Sequence, residues 1–144
     1  MDRVWQVLEN KGHDVWSIGP DNTVFEALER LAEKDIGALI VLEGEKVVGI
    51  FSERDYARKV ALQGKRSTDI PVREVMSTNV LFVRPDQGVD ECMALMTDKH
   101  IRHLPVMDGS RLVGVISIGD LVKSVISHQE FIIAQLENYI TGGR

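Results

Sequence analysis

The sequence predicts an α/β (α+β) fold made of two pseudo-symmetric β-α-β-β-α repeats packed sheet to sheet. The main observation is that residues 20–56 align with residues 85–121 at a constant offset of 65, without a gap. Identical pairs at this offset include Pro20/Pro85, Asp21/Asp86, Gly44/Gly109, Gly49/Gly114, Ser52/Ser117 and Asp55/Asp120. Because most other pairs are apolar on apolar, the sequence contains two copies of one structural unit.

The composition is that of a globular protein, with 144 residues, 44% of them hydrophobic and 27% charged. A net charge of −5 disfavours a general role in binding polyanions such as nucleic acids. The single cysteine, Cys92, excludes an internal disulfide, fits a reducing compartment and lies on an apolar helix face, where we expect it in the core. Without an apolar run long enough for a membrane span, and without a signal-peptide pattern near Met1, the sequence predicts a cytoplasmic protein.

Each repeat is predicted to begin with a short helical turn and a brief strand. The turn at 4–8 resembles the turn at 72–76 at an offset of 68, so three extra residues around 10–12 absorb the difference. The strands are predicted over 15–18 and 80–83, and a Pro-Asp pair follows each of them.

An amphipathic helix, a β-hairpin and a second helix complete each repeat. Apolar residues at helical spacing, Val24, Ala27, Leu28 and Leu31 in the first copy and Val89, Cys92, Met93 and Met96 in the second, predict the first helix. Strands are predicted over 38–42, 46–51, 104–107 and 111–117, with Gly44 and Gly109 in the connecting turns. The second helix begins at Ser52 or Ser117, where Ser-x-x-Asp is typical of a helix-capping box.

These repeats predict three segments: a first repeat over 1–64, a polar linker over 65–71 and a second repeat over 72–144. The last helix continues beyond the length that one repeat needs, with apolar residues at spacings of three and four as far as Ile140. We expect this apolar stripe to pack on the N-terminal helix or on a second chain, and the second possibility predicts a homodimer, with a tetramer as the alternative.

The ordered motifs resemble the CBS-domain family, named after cystathionine β-synthase, over the whole chain. The resemblance is carried by residues 72–76, 83–86 and 101–106 and by the two Gly-to-Asp stretches, 49–55 and 114–120. It implies a stand-alone tandem pair whose clefts between the repeats hold, in many members, AMP, ADP, ATP, NAD(H) or S-adenosylmethionine.

Under this resemblance, Asp55 and Asp120 are the predicted ribose-binding residues, because a carboxylate accepts two hydrogen bonds from a ribose diol. The same residues are also expected to cap helices, and both roles are compatible at a helix N-terminus. The resemblance places Ser52 and Ser117 near phosphate, and Arg54 would add a bidentate phosphate partner. Its counterpart in the second copy is Gly119, so the two clefts are not equivalent.

The strand before the hairpin turn is also asymmetric. In the resembling family, basic residues at the positions of Arg102 and His103 often meet phosphate, although a solvated strand end is an alternative for both. The first copy has Gly37 and Ala38 there, which leaves room for a ring to approach the backbone. Adenine needs apolar walls and backbone hydrogen bonds, and the predicted pocket residues are Val15, Ser17, Ile36, Gly37, Ala38, Asn79, Val80, Leu81 and Ile118.

The predicted function is therefore a non-enzymatic regulatory module that binds AMP, ATP or NAD(H) and signals to an unknown protein partner. No catalytic residue, metal site or catalytic cofactor is predicted, because the four histidines lack metal-ligand spacing and no nucleophile motif occurs. The alternative is a structural assembly pair without a physiological nucleotide. An enzyme would require detectable turnover of a nucleotide, and a nucleic-acid-binding protein would require salt-dependent RNA retention.

Overall fold

The computed structural model describes residues 2–142; Met1, Gly143 and Arg144, which the predicted segments include, lie outside the described residues. The helices and strands, in chain order, are α1 (Val4–Lys11), β1 (Ser17–Ile18), α2 (Val24–Lys34), β2 (Ala38–Glu43), β3 (Lys46–Ser52), α3 (Glu53–Tyr56), α4 (Val89–Lys99), β4 (His103–Asp108), β5 (Arg111–Ser117) and α5 (Ile118–Ile140). A π-helical turn, Ala57–Ala61, continues α3, and a 3₁₀ turn covers Val72–Glu74.

The chain forms two compact units that do not follow the order of the repeats. Residues 15–81 make one unit, here called the Asp55 unit. Residues up to 14 join residues from 82 onward in the other, here called the Asp120 unit. The short segment that begins each repeat therefore packs on the body of the other repeat: α1 on the second, and the 3₁₀ turn on the first.

The Asp55 unit contains a three-stranded sheet in the order β1-β2-β3. Strand β1 runs parallel to β2, with α2 as the crossover, and β2 and β3 form the predicted antiparallel hairpin. The core below the sheet consists of buried apolar side chains: Ile18, Val24, Ala27, Leu31, Leu39, Val41, Phe51, Val60, Ile70, Val72 and Val75. The predicted linker is part of this unit, since the carbonyl oxygens of Ser67 and Ile70 accept hydrogen bonds from the first turn of α2.

The Asp120 unit repeats this hairpin as β4 and β5. Its register is displaced by a bulge between Val106 and Met107, the same position, 65 residues on, as the bulge between Val41 and Leu42. The predicted strand over 80–83 is wrong except at Val83, which makes a single parallel bridge to Val106. The first predicted strand is likewise shorter than expected, because regular pairing starts only at Ser17.

Local chemistry at the helix starts and hairpin turns agrees with the sequence. Ser52 and Ser117 cap α3 and α5 through capping boxes with Asp55 and Asp120. Gly44 and Gly109, with φ of 65° and 62°, occupy the left-handed positions that the tight hairpin turns require.

The first glycine of each Gly-to-Asp stretch faces the segment supplied by the other repeat. A Cβ atom built on Gly114 would lie 2.6 Å from Leu8 Cδ2, and one built on Gly49 would lie 2.7 Å from Met76 Sδ and 2.9 Å from the carbonyl oxygen of Ser77. A side chain at either position would displace the incoming segment. The close approach of this segment thus explains why each Gly-to-Asp stretch begins with glycine.

Helix α5 is buried only near its start. Leu121 is fully buried, and Ser124 donates a hydrogen bond to the Asp2 carboxylate at 2.9 Å. The far half exposes large apolar side chains by 43–81%: Phe131, Ile132, Ile133, Leu136 and Ile140. The expectation that this half packs on the N-terminal helix is therefore wrong, and packing on a second chain stays a prediction.

Candidate functional site

The carboxylate of Asp120 is half-buried in the first turn of α5. The backbone N–H of Ser117 donates to Asp120 Oδ2 at 2.8 Å, and the backbone N–H of Asp120 donates to Ser117 Oγ at 3.2 Å. Lys11, at the end of α1, donates from Nζ to the same Oδ2 at 2.6 Å and to the carbonyl oxygen of Val115, also at 2.6 Å. The ammonium of Lys11 and the N–H of Ser117 both donate to Oδ2, and the Asp120 side chain is 22% exposed, so the other oxygen, Oδ1, is the one left for a ligand.

The groups around Asp120 shift the pKa of its carboxyl group. Burial raises the pKa of the Asp120 carboxyl group, but hydrogen bonds from Lys11 and Ser117 and the charge of Lys11 outweigh this effect, so the pKa lies below its ordinary value. Burial lowers the pKa of the His103 imidazole, and the positive charge of Lys11 lowers it further. These directions favour a charged carboxyl group at Asp120 and an uncharged imidazole at His103 at neutral pH.

The equivalent carboxylate in the other unit has a different environment. Asp55 is 7% exposed, and both of its oxygens are engaged. Oδ2 accepts from the backbone N–H and the hydroxyl group of Ser52 at 2.9 and 3.1 Å. Oδ1 accepts from Ser77 Oγ at 3.1 Å and pairs with Lys59 Nζ, also at 3.1 Å. Asp55 therefore ties α3 to the segment that precedes residue 79, whereas Asp120 keeps one oxygen open.

The predicted phosphate-binding residues lie at the same edge of their respective hairpins as these carboxylates. His103 pairs with Ser117 across β4 and β5, and the carbonyl oxygen of Arg102 accepts from the N–H of Ile118 at 2.9 Å. In the Asp55 unit, Ala38 pairs with Ser52, and the carbonyl oxygen of Gly37 accepts from the N–H of Glu53 at 3.1 Å. The exposed side chain of Arg54 lies in the first turn of α3.

The predicted adenine-pocket residues fall mostly in the Asp55 unit: Val15, Ser17, Ile36, Gly37, Ala38, Asn79, Val80 and Leu81. Ile118 belongs to the Asp120 unit. Ser77, whose hydroxyl contacts Asp55, shows that the chain leading to Asn79 passes the carboxylate. Apart from the exposed Asn79 and Leu81, these residues are half-buried, and their role in binding adenine stays a prediction.

Three residues that contact the carboxylates were missed by sequence reasoning: Lys11, Lys59 and Ser77. Lys59 is four residues after Asp55, which is the ordinary spacing of a helical ion pair and was available as a signal. Lys11 lies in the three-residue insertion around 10–12 that the second repeat lacks. In the structure this insertion lengthens α1 to eight residues, against three in the 3₁₀ turn, and carries Lys11 to Asp120.

Other kinds of site find no support in the described part of the chain. Residues 2–142 contain no group of three or more His, Cys, Asp or Glu side chains that could hold a metal ion. None of the helices among them is both long and apolar enough to cross a membrane. Cys92 is 1% exposed, and burial raises the pKa of its thiol to about 11, which makes it an unreactive core residue as predicted.

Comparison with known proteins identifies the repeats. The sequence model of the CBS domain matches residues 11–62 and 72–127. The chain belongs to the CBS-domain family. It is a tandem CBS pair, and the predicted resemblance and the mixed helix-and-sheet fold class are confirmed.

Relatives of this CBS pair support the same assignment. The chain is 37% identical over 128 residues to the mitochondrial CBS domain-containing protein CBSX3 of Arabidopsis thaliana; the match covers 85% of this chain and 62% of that protein. Among solved structures, a proposed signal-transduction protein with CBS domains from Burkholderia ambifaria MC40-6 is 49% identical, with a TM-score of 0.86. The match covers 89% of this chain and 96% of that one.

A second solved CBS structure contains adenosine compounds. The CBS domain pair of protein MJ0100, solved with 5′-methylthioadenosine and S-adenosyl-L-methionine, is 25% identical, with a TM-score of 0.78. The match covers 89% of this chain and 98% of that chain. None of these three proteins carries the name of an enzyme.

Proposed function

We propose that this CBS pair is a non-catalytic regulatory module that binds an adenine nucleotide at the Asp120 carboxylate. The observation that carries the proposal is the contrast between the two carboxylates. Asp120 has an oxygen that none of its described donors uses, and it acts electrostatically on His103 together with Arg102, whereas both oxygens of Asp55 are used within the fold. A charged acceptor with a free oxygen suits a ribose diol, because charge-assisted hydrogen bonds are stronger than neutral ones.

Phosphate groups of the same ligand would meet the edge of β4. Arg102 is exposed and permanently charged, so it supplies the positive charge, while the uncharged His103 supplies a hydrogen bond. Ser117 uses its hydroxyl oxygen as the acceptor of the α5 cap, and because its side chain also hydrogen-bonds to the Asp120 carboxyl group, a phosphate oxygen would share that proton. The two compounds bound to the MJ0100 pair carry adenosine but no phosphate, so they support an adenosine-containing ligand and leave AMP, ADP, ATP and NAD(H) to be distinguished by experiment.

The proposal is tested by measuring the thermal stability of the protein with AMP, ADP, ATP, NAD(H) and S-adenosylmethionine. A ligand at about 100 times its Kd should stabilise the fold by about 2.7 kcal/mol. Asp120→Ala should abolish the shift, whereas Asp108→Ala, which removes the same charge at the exposed hairpin turn, should preserve it. A flat response of the wild-type protein to all five ligands would refute nucleotide sensing.

A second candidate function is assembly, which the exposed apolar half of α5 favours. Side chains of this size exposed in a row are unfavourable in water, and a second copy of the same helix would cover them. The proposed homodimer is checked by sedimentation of the wild-type protein and of Ile133→Glu, which should shift the mass to that of a monomer. A regulated protein partner and a cytoplasmic location remain predictions.

A further inference from the structure

The ammonium group of Lys11 lies at the carboxylate that forms the proposed ribose site. It donates at 2.6 Å to Asp120 Oδ2 and at 2.6 Å to the carbonyl oxygen of Val115, which leaves one of its three N–H groups unused by these two partners. The Lys11 side chain is 34% exposed and that of Asp120 is 22% exposed, so the pair is partly accessible to solvent. Any ligand that reaches Asp120 must therefore meet this ammonium group.

A ligand that has a ribose but no phosphate gains little binding free energy from Lys11. Its two hydroxyl groups donate to the carboxylate, and Lys11 competes with them for Oδ2. A phosphate on the same ligand offers the ammonium a second anionic partner, which compensates for sharing Asp120. A ligand with a positive charge near the ribose, such as a sulfonium, would instead be repelled by Lys11.

Within residues 2–142, the charged groups that act on His103 include no anion besides Asp120 that would cancel this effect. The groups that act electrostatically on His103 are Lys11, Asp120 and Arg102, two cations and one anion. Asp120 is already paired, so a ligand phosphate would complete the charge balance of the cluster. In the Asp55 unit, by contrast, Lys59 is joined by Ser77 on the same carboxylate oxygen, and that carboxylate has no open oxygen.

We propose that Lys11 is a specificity-determining residue that selects 5′-phosphorylated adenosines over uncharged adenosine and over cationic S-adenosylmethionine at Asp120. The proposal rests on the proposed function and adds the ligand class to it. It also gives the insertion around 10–12 a role, because these residues bring the ammonium to the carboxylate in only one of the two units.

The test is titration calorimetry of the full chain with AMP, adenosine and S-adenosylmethionine. The wild-type protein should bind AMP at least tenfold more tightly than adenosine. Lys11→Met should reduce this preference at least tenfold and strengthen the binding of S-adenosylmethionine, whereas Lys11→Arg should retain the preference. Lys46→Met removes the same charge at the exposed hairpin of the other unit and serves as the matched control.

The outcomes separate the two proposals. If neither AMP nor adenosine binds to the wild-type protein, the proposed function is wrong and the role of Lys11 falls with it. If both bind but the preference is absent in the wild-type protein or unchanged in Lys11→Met, only the role of Lys11 is refuted. Circular dichroism confirms the fold of each variant, and Lys11→Gln, which can still donate to Val115, replaces Lys11→Met if α1 is lost.

Discussion

Replacing Asp55 by alanine should destabilise its unit about twice as much as replacing Asp120 destabilises the other. The two residues occupy equivalent positions in the repeats, so the comparison isolates their surroundings. Each substitution removes the partner of a capping N–H group, which costs about 1 kcal/mol. What differs is the remainder of the hydrogen-bond network.

For Asp55, the remainder is the hydrogen bond from Ser77 and the ion pair with Lys59. A hydrogen bond to a charged group contributes about 1.5 kcal/mol at the low end of its range. The Lys59 side chain is 45% exposed, so the screened ion pair adds only about 0.5 kcal/mol. The expected loss is about 3 kcal/mol for Asp55→Ala. For Asp120→Ala, whose remaining partner is the half-exposed Lys11, it is about 1.5 kcal/mol.

The assay uses the two tryptophans of the chain, because Trp16 belongs to the Asp55 unit and Trp5 to the Asp120 unit. Urea unfolding is followed by fluorescence in a Trp5→Phe background for one unit and in a Trp16→Phe background for the other. The midpoint should move further for Asp55→Ala, with an unchanged denaturant slope. Equal losses, or a larger loss for Asp120→Ala, would refute the conclusion that Asp55 is primarily structural.

Three further predictions concern packing, pH and reactivity. Gly114→Ala should lower the free energy of unfolding in urea by about 1–3 kcal/mol, because its Cβ would overlap Leu8. Gly119→Ala, whose Cβ meets only Ser117 Oγ at 3.6 Å, should instead stabilise α5 by up to about 1 kcal/mol. Two changes of the same sign would contradict the packing argument. The folded-state pKa of Asp120 lies below its ordinary value of 3.8, so its carboxylate stabilises the fold fully above that value and loses this contribution as the pH falls through the folded pKa. The difference in unfolding free energy between wild type and Asp120→Asn should accordingly be constant from pH 7 to 5 and shrink below about pH 4. Cys92 should react with a thiol reagent at pH 8 roughly 100-fold more slowly in the native protein than in urea, and fast native labelling would show that its helix is not closed.

The elements that the sequence predicts well are those specified by neighbouring residues. Ser52 and Ser117 cap their helices because the Asp three residues later completes the box, and Gly109 turns a hairpin because the left-handed position favours glycine. The strand expected over 80–83 fails because its apolar run lacks a partner strand along most of its length. Only Val83 reaches β4, and the sequence does not contain that tertiary information.

The site was predictable in its residue types but not in its asymmetry. Equal spacing made Asp55 and Asp120 look alike, and the visible differences between the helix starts were Glu53 against Ile118 and Arg54 against Gly119. The larger difference arises from Ser77, which contacts Asp55, and from Lys11, which contacts Asp120. Each of these residues lies near the start of one repeat and contacts the carboxylate of the other. Contacts over such distances depend on how the chain is folded back, which no local pattern encodes.

The exchange of the opening segments also sets an order in which the protein can be completed during synthesis. Residues 15–81 form a continuous stretch, so the Asp55 unit has its whole core as soon as Val75 leaves the ribosome. The apolar face of α1, which contains Val4, Val7 and Leu8, has no partner until β4 and β5 are made. Helix α1 is therefore translated well before the residues that bury its apolar face.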